Sequence, residues 1–325
     1  MDAAVITEAG APPRPLERPD PAPGDGEALI RVHAAAIAPL DLLCASGASY
    51  FGTPATPYVP GVQGVGEVVT APTLPSGTRV WFPTTAGMAP GDGSMARLSV
   101  AKEEGLLPLP DGAGDALVAA LGLSAVAAWA VLTQRAGLRP GEVVLVLGGG
   151  GVVGQVAIQA ARVLGAGRVV AAARSEAARR RCENAGADVV VDLRADEARA
   201  DLALRLLEAC GRPVDVVVDP LCGDPGTAAA SILAEGGRLV NLGSSAGPTS
   251  AYDSALLRSR SAEILGYTNN ALAPARQREL LAEVLEHAVA GAITVAHELV
   301  PLSDVTDAWT RQAQGRCDGR IVLTP

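Results

Sequence analysis

One stretch of the sequence, residues 143–174, constrains the fold of this chain more than any other. It opens with an unbroken apolar run of strand length, Val143–Leu147, which ends in four glycines at 148–151. Apolar residues then recur at helical spacing as far as Leu164, where Gly165 supplies a C-terminal stop, and a second apolar run follows at 169–173. The pattern predicts a strand, a tight turn, a helix and a second strand, which together form a βαβ unit.

The glycines of this turn predict a dinucleotide site. Gly149, Gly151 and Gly154 have the spacing G-x-G-x-x-G. In such a site the first glycine permits the turn, the second lets pyrophosphate approach the backbone, and the third lets helix and strand pack closely. The amides of Val152 and Val153 and the positive end of the helix dipole then face the phosphates. A flexible loop between two core elements is the alternative, but the flanking strand, helix and second strand favour nucleotide binding.

The residues after the second strand bear on the choice of nucleotide. An NAD site has Asp or Glu about twenty residues beyond the glycines, where it binds the ribose 2′-hydroxyl. This chain has Arg174 and Ser175 there. A guanidinium binds a 2′-phosphate through paired charge-assisted hydrogen bonds, so NADPH is the predicted cofactor. Glu176, two residues after Arg174, leaves NAD as an alternative cofactor. A further alternative is that Arg174 is only a solvated residue at the end of the strand. The arginines at 179–181 are expected to form a solvated helix face, with one of them a candidate for the phosphate site.

Composition narrows the class of protein. The 325 residues are 49% hydrophobic and carry a net charge of -9, which favours a large folded core and argues against nucleic acid or an anionic membrane as a partner. The first residues lack a basic segment followed by a long apolar one, and no later run is expected to reach membrane-spanning length. Five scattered cysteines without a C-x-x-C pair indicate reduced thiols. We therefore expect a cytoplasmic protein without a metal site.

The chain is predicted to form two domains from three segments. Residues 1–118 show short β patterns and many breakers, residues 119–258 alternate strands and helices, and residues 259–325 are expected to return to the first domain. An alanine-rich helix at 116–136 is the predicted bridge. Beyond the βαβ unit we predict a helix that Ser175 caps and that ends before Gly186. We also predict strands at 189–191, Val214–Asp219, 238–242, Glu263–Gly266, 294–300 and 319–324, and helices at 197–209, 227–233, 274–290 and 303–314. In a parallel sheet of this kind, ligands bind at the carboxyl ends of the strands.

Several short motifs, in order and at fixed spacing, resemble the medium-chain dehydrogenase/reductase superfamily, in its zinc-free quinone oxidoreductase and enoyl reductase branch. They are AIAPLD at 36–41, PGVQGVGEV at 60–68, GSMARLSV at 93–100, LPLP at 107–110, the glycine turn, GGRLVNLG at 236–243 and GRIVL at 319–323. The resemblance implies an α/β protein with a GroES-like, mostly β catalytic domain built from both chain ends. It also implies a Rossmann domain with a doubly wound parallel sheet, a cleft between the two, and a homodimer.

The metal ligands of the superfamily's zinc enzymes are replaced in this chain. Those enzymes have a Cys, a His-Glu pair and a further Cys where this chain has Ala38, Val62 with Gln63, and Leu121. None of the four can bind zinc, which needs thiolate, imidazole or carboxylate ligands. The branch usually has Asn at the position of Ala38, close to the nicotinamide. We predict that Asp41 is a local hydrogen-bonding or helix-capping residue and not an acid catalyst.

The resemblance implies that NADPH gives a hydride to a quinone or an α,β-unsaturated carbonyl compound, with the enoyl reductases of biosynthetic pathways as one possibility. Tyr50 inherits a role as proton donor, with solvent as the alternative donor and a plain pocket wall as the alternative role. Aromatic side chains are expected to line the substrate pocket: Tyr50, Phe51, Tyr252 and Tyr267. Gly243, Ser244 and Ser245 are expected to contact the cofactor at a strand end.

Two other functions remain open on the sequence. One is a non-catalytic NADPH-binding protein, since lens crystallins of this branch use the fold structurally. The other is a serine hydrolase, because residues 243–247 match G-x-S-x-G around Ser245. A nucleophile elbow needs a helix directly after the serine, and Pro248 argues against one; His287 or His297 would have to complete the triad.

Overall fold

The computed structural model describes all 325 residues, which form two compact units. The first unit contains Met1–Gly122, Ala273–Val289 and Val295–Pro325, and the second contains Leu123–Leu272 and Ala290–Thr294. The chain therefore returns to the first unit at Ala273, later than the predicted 259. The strand at Glu263–Gly266 explains the difference, because it is hydrogen-bonded into the sheet of the second unit.

The first unit begins with short strands whose alternating side chains point into a core. In the strand Glu27–Ala36, the side chains of Ala28, Ile30 and Val32 are buried while Arg31 is exposed, as period-2 patterning requires. The elements are β1 (Asp2–Val5), β2 (Arg14–Glu17), β3 (Glu27–Ala36), α1 (Pro39–Ala45), β4 (Gln63–Thr70), β5 (Arg79–Pro83), β6 (Leu98–Lys102) and β7 (Leu107–Pro108). β1 pairs with β2, and β3 pairs with β4 and β6.

The predicted helix at 116–136 is interrupted. α2 (Asp115–Ala130) has a non-helical residue at Gly122, with φ 33° and ψ -134°, and continues as a π-helical turn at Val131–Arg135. A Cβ at Gly122 would overlap Oε1 of Gln63, a residue of β4. The sequence periodicity gives no sign of this close approach, because Gln63 lies in a distant part of the chain.

The length of this helical run contradicts one expectation from the sequence. Asp115–Arg135 is long and apolar enough to cross a membrane by length and composition, with a mean hydropathy of 2.1. The expectation that no run reaches that length is therefore wrong. However, 72% of its apolar window is buried inside the structure, and the core helix of a soluble protein passes the same test.

The second unit is built on a six-stranded parallel sheet. Its strands are β8 (Val143–Leu147), β9 (Arg168–Ala173), β10 (Val189–Asp192), β11 (Val214–Asp219), β12 (Leu233–Asn241) and β13 (Glu263–Gly266). Its helices are α3 (Val152–Val163), α4 (Glu176–Asn184), α5 (Arg199–Cys210), α6 (Gly223–Ser231) and α7 (Ser254–Arg260). The strand order β10-β9-β8-β11-β12-β13 reverses direction between β8 and β11. Ligands of doubly wound sheets bind at such a switch point.

One helix of this unit lies earlier than predicted. The sequence predicts a helix at 227–233 and a strand at 238–242, whereas α6 ends at Ser231 and β12 already begins at Leu233. Leu233 pairs with Val214, and the register then shifts before Arg238 pairs with Val216. The irregularity lies at Gly236 and Gly237. Because glycine is untypical of strands, the sequence does not indicate that the strand begins before these residues.

The C-terminal segment completes the sheet of the first unit. It contains α8 (Pro274–Val289), β14 (His297–Pro301), α9 (Val305–Ala313) and β15 (Arg320–Thr324). β15 pairs in parallel with β14 and antiparallel with β3, where Val322 lies opposite Ala36. The seven-stranded sheet therefore runs β14-β15-β3-β4-β5-β7, with β6 paired to β3.

Candidate nucleotide-binding site

The glycine turn follows β8, at the switch point of the parallel sheet. Gly148 has φ 64°, which favours glycine. A Cβ at Gly149 would lie 2.8 Å from Sγ of Cys182, and one at Gly154 would overlap Cα of Gly149. Packing within the protein therefore requires glycine at both positions.

Gly151 is different, because nothing in the protein requires glycine there. Its φ is -78°, which any residue adopts, and an added Cβ would contact only the carbonyl oxygen of Gly148, at an ordinary 3.6 Å. A small residue at this position instead leaves space for a ligand beside the backbone. Close approach of a pyrophosphate, the role predicted for the middle glycine of the motif, would require such open space.

The same turn presents hydrogen-bond donors. Gly151 is the N-cap of α3 and supplies no side-chain cap. The amides of Val152, Val153 and Gly154, in the first turn of the helix, have no carbonyl one turn before them to bind. Together with the positive end of the helix dipole, they are suited to an anion.

The residues after β9 form a second part of the site. Ser175 is the N-cap of α4, as predicted, and its Oγ accepts a hydrogen bond from the amide of Ala178 at 3.2 Å. Arg174 directly follows the strand and is exposed, and its guanidinium forms no ion pair within the protein. It is therefore an available cation at the carboxyl end of the sheet.

Two of the three arginines on α4 are engaged by acidic neighbours. Arg179 forms a hydrogen bond of 2.7 Å with Asp192 and another of 2.6 Å with the carbonyl of Arg174. Arg180 lies 3.3 Å from Glu176, one turn earlier, and both of these side chains are largely exposed. The prediction of a solvated helix face describes Arg180 best.

Gly243, Ser244 and Ser245 follow β12, two strands from β8 in the sheet. A Cβ at Gly243 would lie 2.6 Å from the carbonyl oxygen of Pro220, so this position needs glycine. Ser244 and Ser245 are exposed, and Oγ of Ser245 donates to the Pro220 carbonyl at 3.3 Å. The next helix begins only at Ser254, so the strand-turn-helix elbow of a serine hydrolase is absent.

A buried carboxylate behind these loops was not identified from the sequence. Asp219, at the end of β11, is fully buried and accepts hydrogen bonds from the amides of Leu221 and Cys222 at 2.9 and 2.8 Å. Nδ2 of Asn241 donates to Asp219 at 3.1 Å and to the carbonyl of Gly243 at 2.8 Å. The two side chains join the loops that follow β11 and β12.

The aromatic residues predicted to line the substrate pocket fall in both units. Tyr50 and Phe51 belong to the first unit, with ring centroids 4.4 Å apart and exposed fractions of 76% and 37%. Tyr252 and Tyr267 belong to the second unit. Burial raises the pKa of Tyr252 and raises that of Tyr267 to about 12, and the hydroxyl of Tyr267 donates to Asn269 at 2.8 Å. Both phenols are therefore neutral at physiological pH.

Asp41 caps α1, as predicted. Its carboxylate accepts hydrogen bonds from the amides of Ala38 at 2.8 Å, Gly61 at 3.1 Å and Val62 at 2.9 Å. Burial raises its pKa to about 6, although these donors and the charge of Arg320 act in the opposite direction. All the oxygens of this buried group face the protein backbone, which suits a structural role.

The positions of the zinc ligands in related enzymes hold buried side chains. Ala38, Val62 and Leu121 are apolar, and Gln63 is fully buried with its Nε2 donating to the carbonyl of Ala119 at 3.1 Å. Across the chain, no group of three or more His, Cys, Asp or Glu side chains is arranged to hold a metal ion.

Two family models match the chain. Residues 24–111 match the alcohol dehydrogenase GroES-like domain, and residues 152–286 match the zinc-binding dehydrogenase domain. Together they cover parts of both structural units.

Three individual proteins illustrate the similarity. A phenolphthiocerol/phthiocerol polyketide synthase polypeptide from Mycobacterium tuberculosis is 34% identical over 67% of this chain, and the chain spans only 10% of that relative's length. The quinone oxidoreductase of Homo sapiens is 30% identical over 75% of this chain and 73% of its own. A mycobacterial structure complexed with NADPH is 28% identical, covers 100% of both chains and superposes with a TM-score of 0.88.

Proposed function

The chain belongs to the medium-chain dehydrogenase/reductase superfamily, in its quinone oxidoreductase branch, and we propose that it is an NADPH-dependent reductase of quinones or α,β-unsaturated carbonyl compounds. The family and the predicted pair of GroES-like and Rossmann domains are thereby confirmed, and the chain is an oxidoreductase by family. The choice of NADPH, the substrate class and a reaction without metal are the proposal.

Gly151 is the observation that carries the proposal. It is the glycine of the turn that neither backbone strain nor internal packing explains, and it stands beside the free amides at the start of α3. A diphosphate fits this combination of open space and donors. Arg174 adds an exposed cation after the next strand, where a 2′-phosphate would distinguish NADPH from NADH. The NADPH-complexed neighbour supports the same assignment.

Bound in this site, the nicotinamide supplies a hydride, and the acceptor gains one further proton to complete a two-electron reduction. The protein's part is to hold the cofactor at the glycine turn and to provide or admit that proton. We propose Tyr50, which is exposed to solvent, as the proton donor or as a wall beside which water delivers the proton. The apolar Ala38, Val62 and Leu121 support a reaction that does not use zinc.

An enoyl reductase acting on a biosynthetic intermediate is a second candidate within the same chemistry. The 34% identity to the polyketide synthase favours it. Both candidates use hydride transfer to a carbon conjugated with a carbonyl, so the site requires no different residues. A thioester-linked enoyl substrate in the assay distinguishes them, since a quinone reductase reduces free quinones faster.

The test is consumption of NADPH and NADH, followed by absorbance, with a panel of quinones, enones and enoyl thioesters. Turnover of at least one acceptor is expected. Tight NADPH binding with no turnover of any acceptor would instead support the non-catalytic, crystallin-like alternative. Covalent labelling of Ser245 by a phosphonate would point to hydrolase chemistry, which the loop after β12 argues against.

The cofactor preference has its own test in Arg174→Ala. Loss of paired charge-assisted hydrogen bonds to a 2′-phosphate should weaken NADPH binding by about 10- to 100-fold and leave NADH within about twofold. Arg180→Ala is the matched control, because it removes the same charge from an exposed position on α4. Equal losses of NADPH and NADH in Arg174→Ala would refute the assignment.

We also propose that the protein acts in the cytoplasm as a homodimer, without nucleic acid or membrane partners. Its acidic balance, a net charge of -9, supports the last point. Sedimentation equilibrium of the purified chain measures the oligomeric state directly, and a monomer at all concentrations would contradict the dimer.

A further inference from the structure

A side chain from α4 and one from α3 meet at the glycine turn. Nε of Arg181 donates a hydrogen bond to the carbonyl oxygen of Gly150 at 2.9 Å. Nε2 of Gln155 donates to the same oxygen at 3.1 Å, and Gln155 is only 5% exposed. Gly150 also packs on α4 directly, since a Cβ there would lie 2.5 Å from Cβ of Ala178. The turn is thus held by two helices through one backbone oxygen.

The orientation of this oxygen decides what the turn presents to an anion. The carbonyl of Gly150 and the amide of Gly151 belong to one planar peptide group, and that amide donates to the carbonyl of Gly148 at 3.1 Å, so the side chains that bind the oxygen help to fix the whole group. Glycines rotate their peptide groups easily, and a run of four has little conformational preference of its own. If the Gly150 peptide rotated, its oxygen could face the phosphates and repel them. Two donors on the opposite side keep the oxygen turned toward the helices.

We propose that Arg181 and Gln155 are positioning residues for the cofactor diphosphate: by binding the Gly150 carbonyl, they hold the glycine turn in its anion-binding conformation. This inference rests on the proposed nucleotide binding and extends it. The diphosphate is common to NADPH and NADH, so the two side chains act on both nucleotides alike. Arg174, in contrast, is assigned to the 2′-phosphate that only NADPH carries.

The experiment is calorimetric titration of the full chain with NADPH and with NADH, for wild type, Arg181→Met and Gln155→Met. Each variant should raise both Kd values about tenfold, and by the same factor for the two nucleotides. Gln155 is uncharged, so its effect cannot come from a lost positive field. Arg180→Met, which removes a charge from the same helix, should leave both Kd values within about twofold.

Two further measurements distinguish the proposed positioning role from a purely structural one. Tm without nucleotide is recorded for each variant, and Kd is measured well below it, so that an altered fold stability does not enter the comparison. With an acceptor that the wild type reduces, KM for NADPH should rise about tenfold while kcat at saturating NADPH stays within about twofold. A fall in kcat without a change in KM would overturn the positioning role.

The remaining outcomes are distinct. Unchanged Kd values in both variants would overturn the inference, and so would a loss confined to NADPH, which would place Arg181 at the 2′-phosphate. A wild-type protein that binds neither nucleotide would overturn the proposed function and this inference together. A wild type that binds NADH as tightly as NADPH would overturn only the cofactor preference, since the shared diphosphate still reports on Arg181 and Gln155.

Discussion

Substitution of Gly151 by alanine should separate nucleotide binding from folding. The new methyl group would contact only the Gly148 carbonyl oxygen, at 3.6 Å, and φ of -78° is open to alanine. Replacing glycine by alanine at an N-cap costs about 0.5–1 kcal/mol. Alanine also makes the unfolded chain less flexible than glycine does, which stabilises the folded state by about 0.4–1 kcal/mol. The free energy of unfolding should therefore change by no more than about 0.5 kcal/mol, or about 2 °C in Tm.

The effect on the cofactor should be much larger. The methyl group would occupy the space through which a diphosphate reaches the amides at the start of α3. Loss of two hydrogen bonds to a charged group, each about 1.5–3 kcal/mol, removes at least about 3 kcal/mol of binding free energy. This corresponds to a rise of at least about 100-fold in the Kd of NADPH. Calorimetric titration and thermal unfolding without nucleotide measure the two effects on the same sample.

Gly154→Ala is the matched control. Its Cβ would overlap Cα of Gly149, inside the protein. Overpacking against a backbone atom should cost about 3 kcal/mol of stability. The reasoning is refuted if Gly151→Ala binds NADPH within threefold of wild type, or if it unfolds as readily as Gly154→Ala.

Three further predictions concern stability. Arg238 forms hydrogen bonds of 2.9 and 3.0 Å with both carboxylate oxygens of the largely buried Glu142. Arg238→Met should therefore lower the free energy of unfolding, measured in urea, by about 3 kcal/mol, and adding Glu142→Met should restore part of that loss. Ser261 ends α7 with φ 47° and ψ 37°, so Ser261→Gly should stabilise by about 1 kcal/mol, and an unchanged Tm would contradict this. Burial alone would raise the pKa of Asp115, but hydrogen bonds from an arginine and a histidine lower it below its usual 3.8. Its contribution is therefore fully present above about pH 4 and is lost as pH falls through the lowered value, so the stabilities of wild type and Asp115→Asn should differ above about pH 4 and converge only below the lowered pKa.

The parts of the site that sequence predicted best are local ones. The glycine turn and the cap at Ser175 depend on residues within a few positions of one another, and their spacing is visible in the chain. The link from Asp219 through Asn241 to Gly243 depends on which strands are neighbours and on their register, which places Asp219 opposite Asn241. Nothing in either segment alone indicates that pairing.

The missed features of the fold have the same origin. At the break, a Cβ on Gly122 would overlap the side chain of Gln63, and helical periodicity in the sequence carries no information about a residue of a distant strand. Similarly, Arg181 belongs to a run of three arginines that share one sequence pattern. Only the packing of α4 on the glycine turn distinguishes it from Arg180.

The position of β15 has a consequence for the order of folding during synthesis. This strand comes last in the chain, yet it lies between β14 and β3 in the sheet. While the ribosome still holds residues 320–324, Ala35 and Ala36 at the end of β3 lack their partners in β15, whereas the parallel sheet of the second unit, complete by Gly266, has already emerged. The second unit is therefore free to fold before the first is complete, and the nascent first unit carries an open strand edge, a site for aggregation or chaperone contact, until β15 emerges from the ribosome.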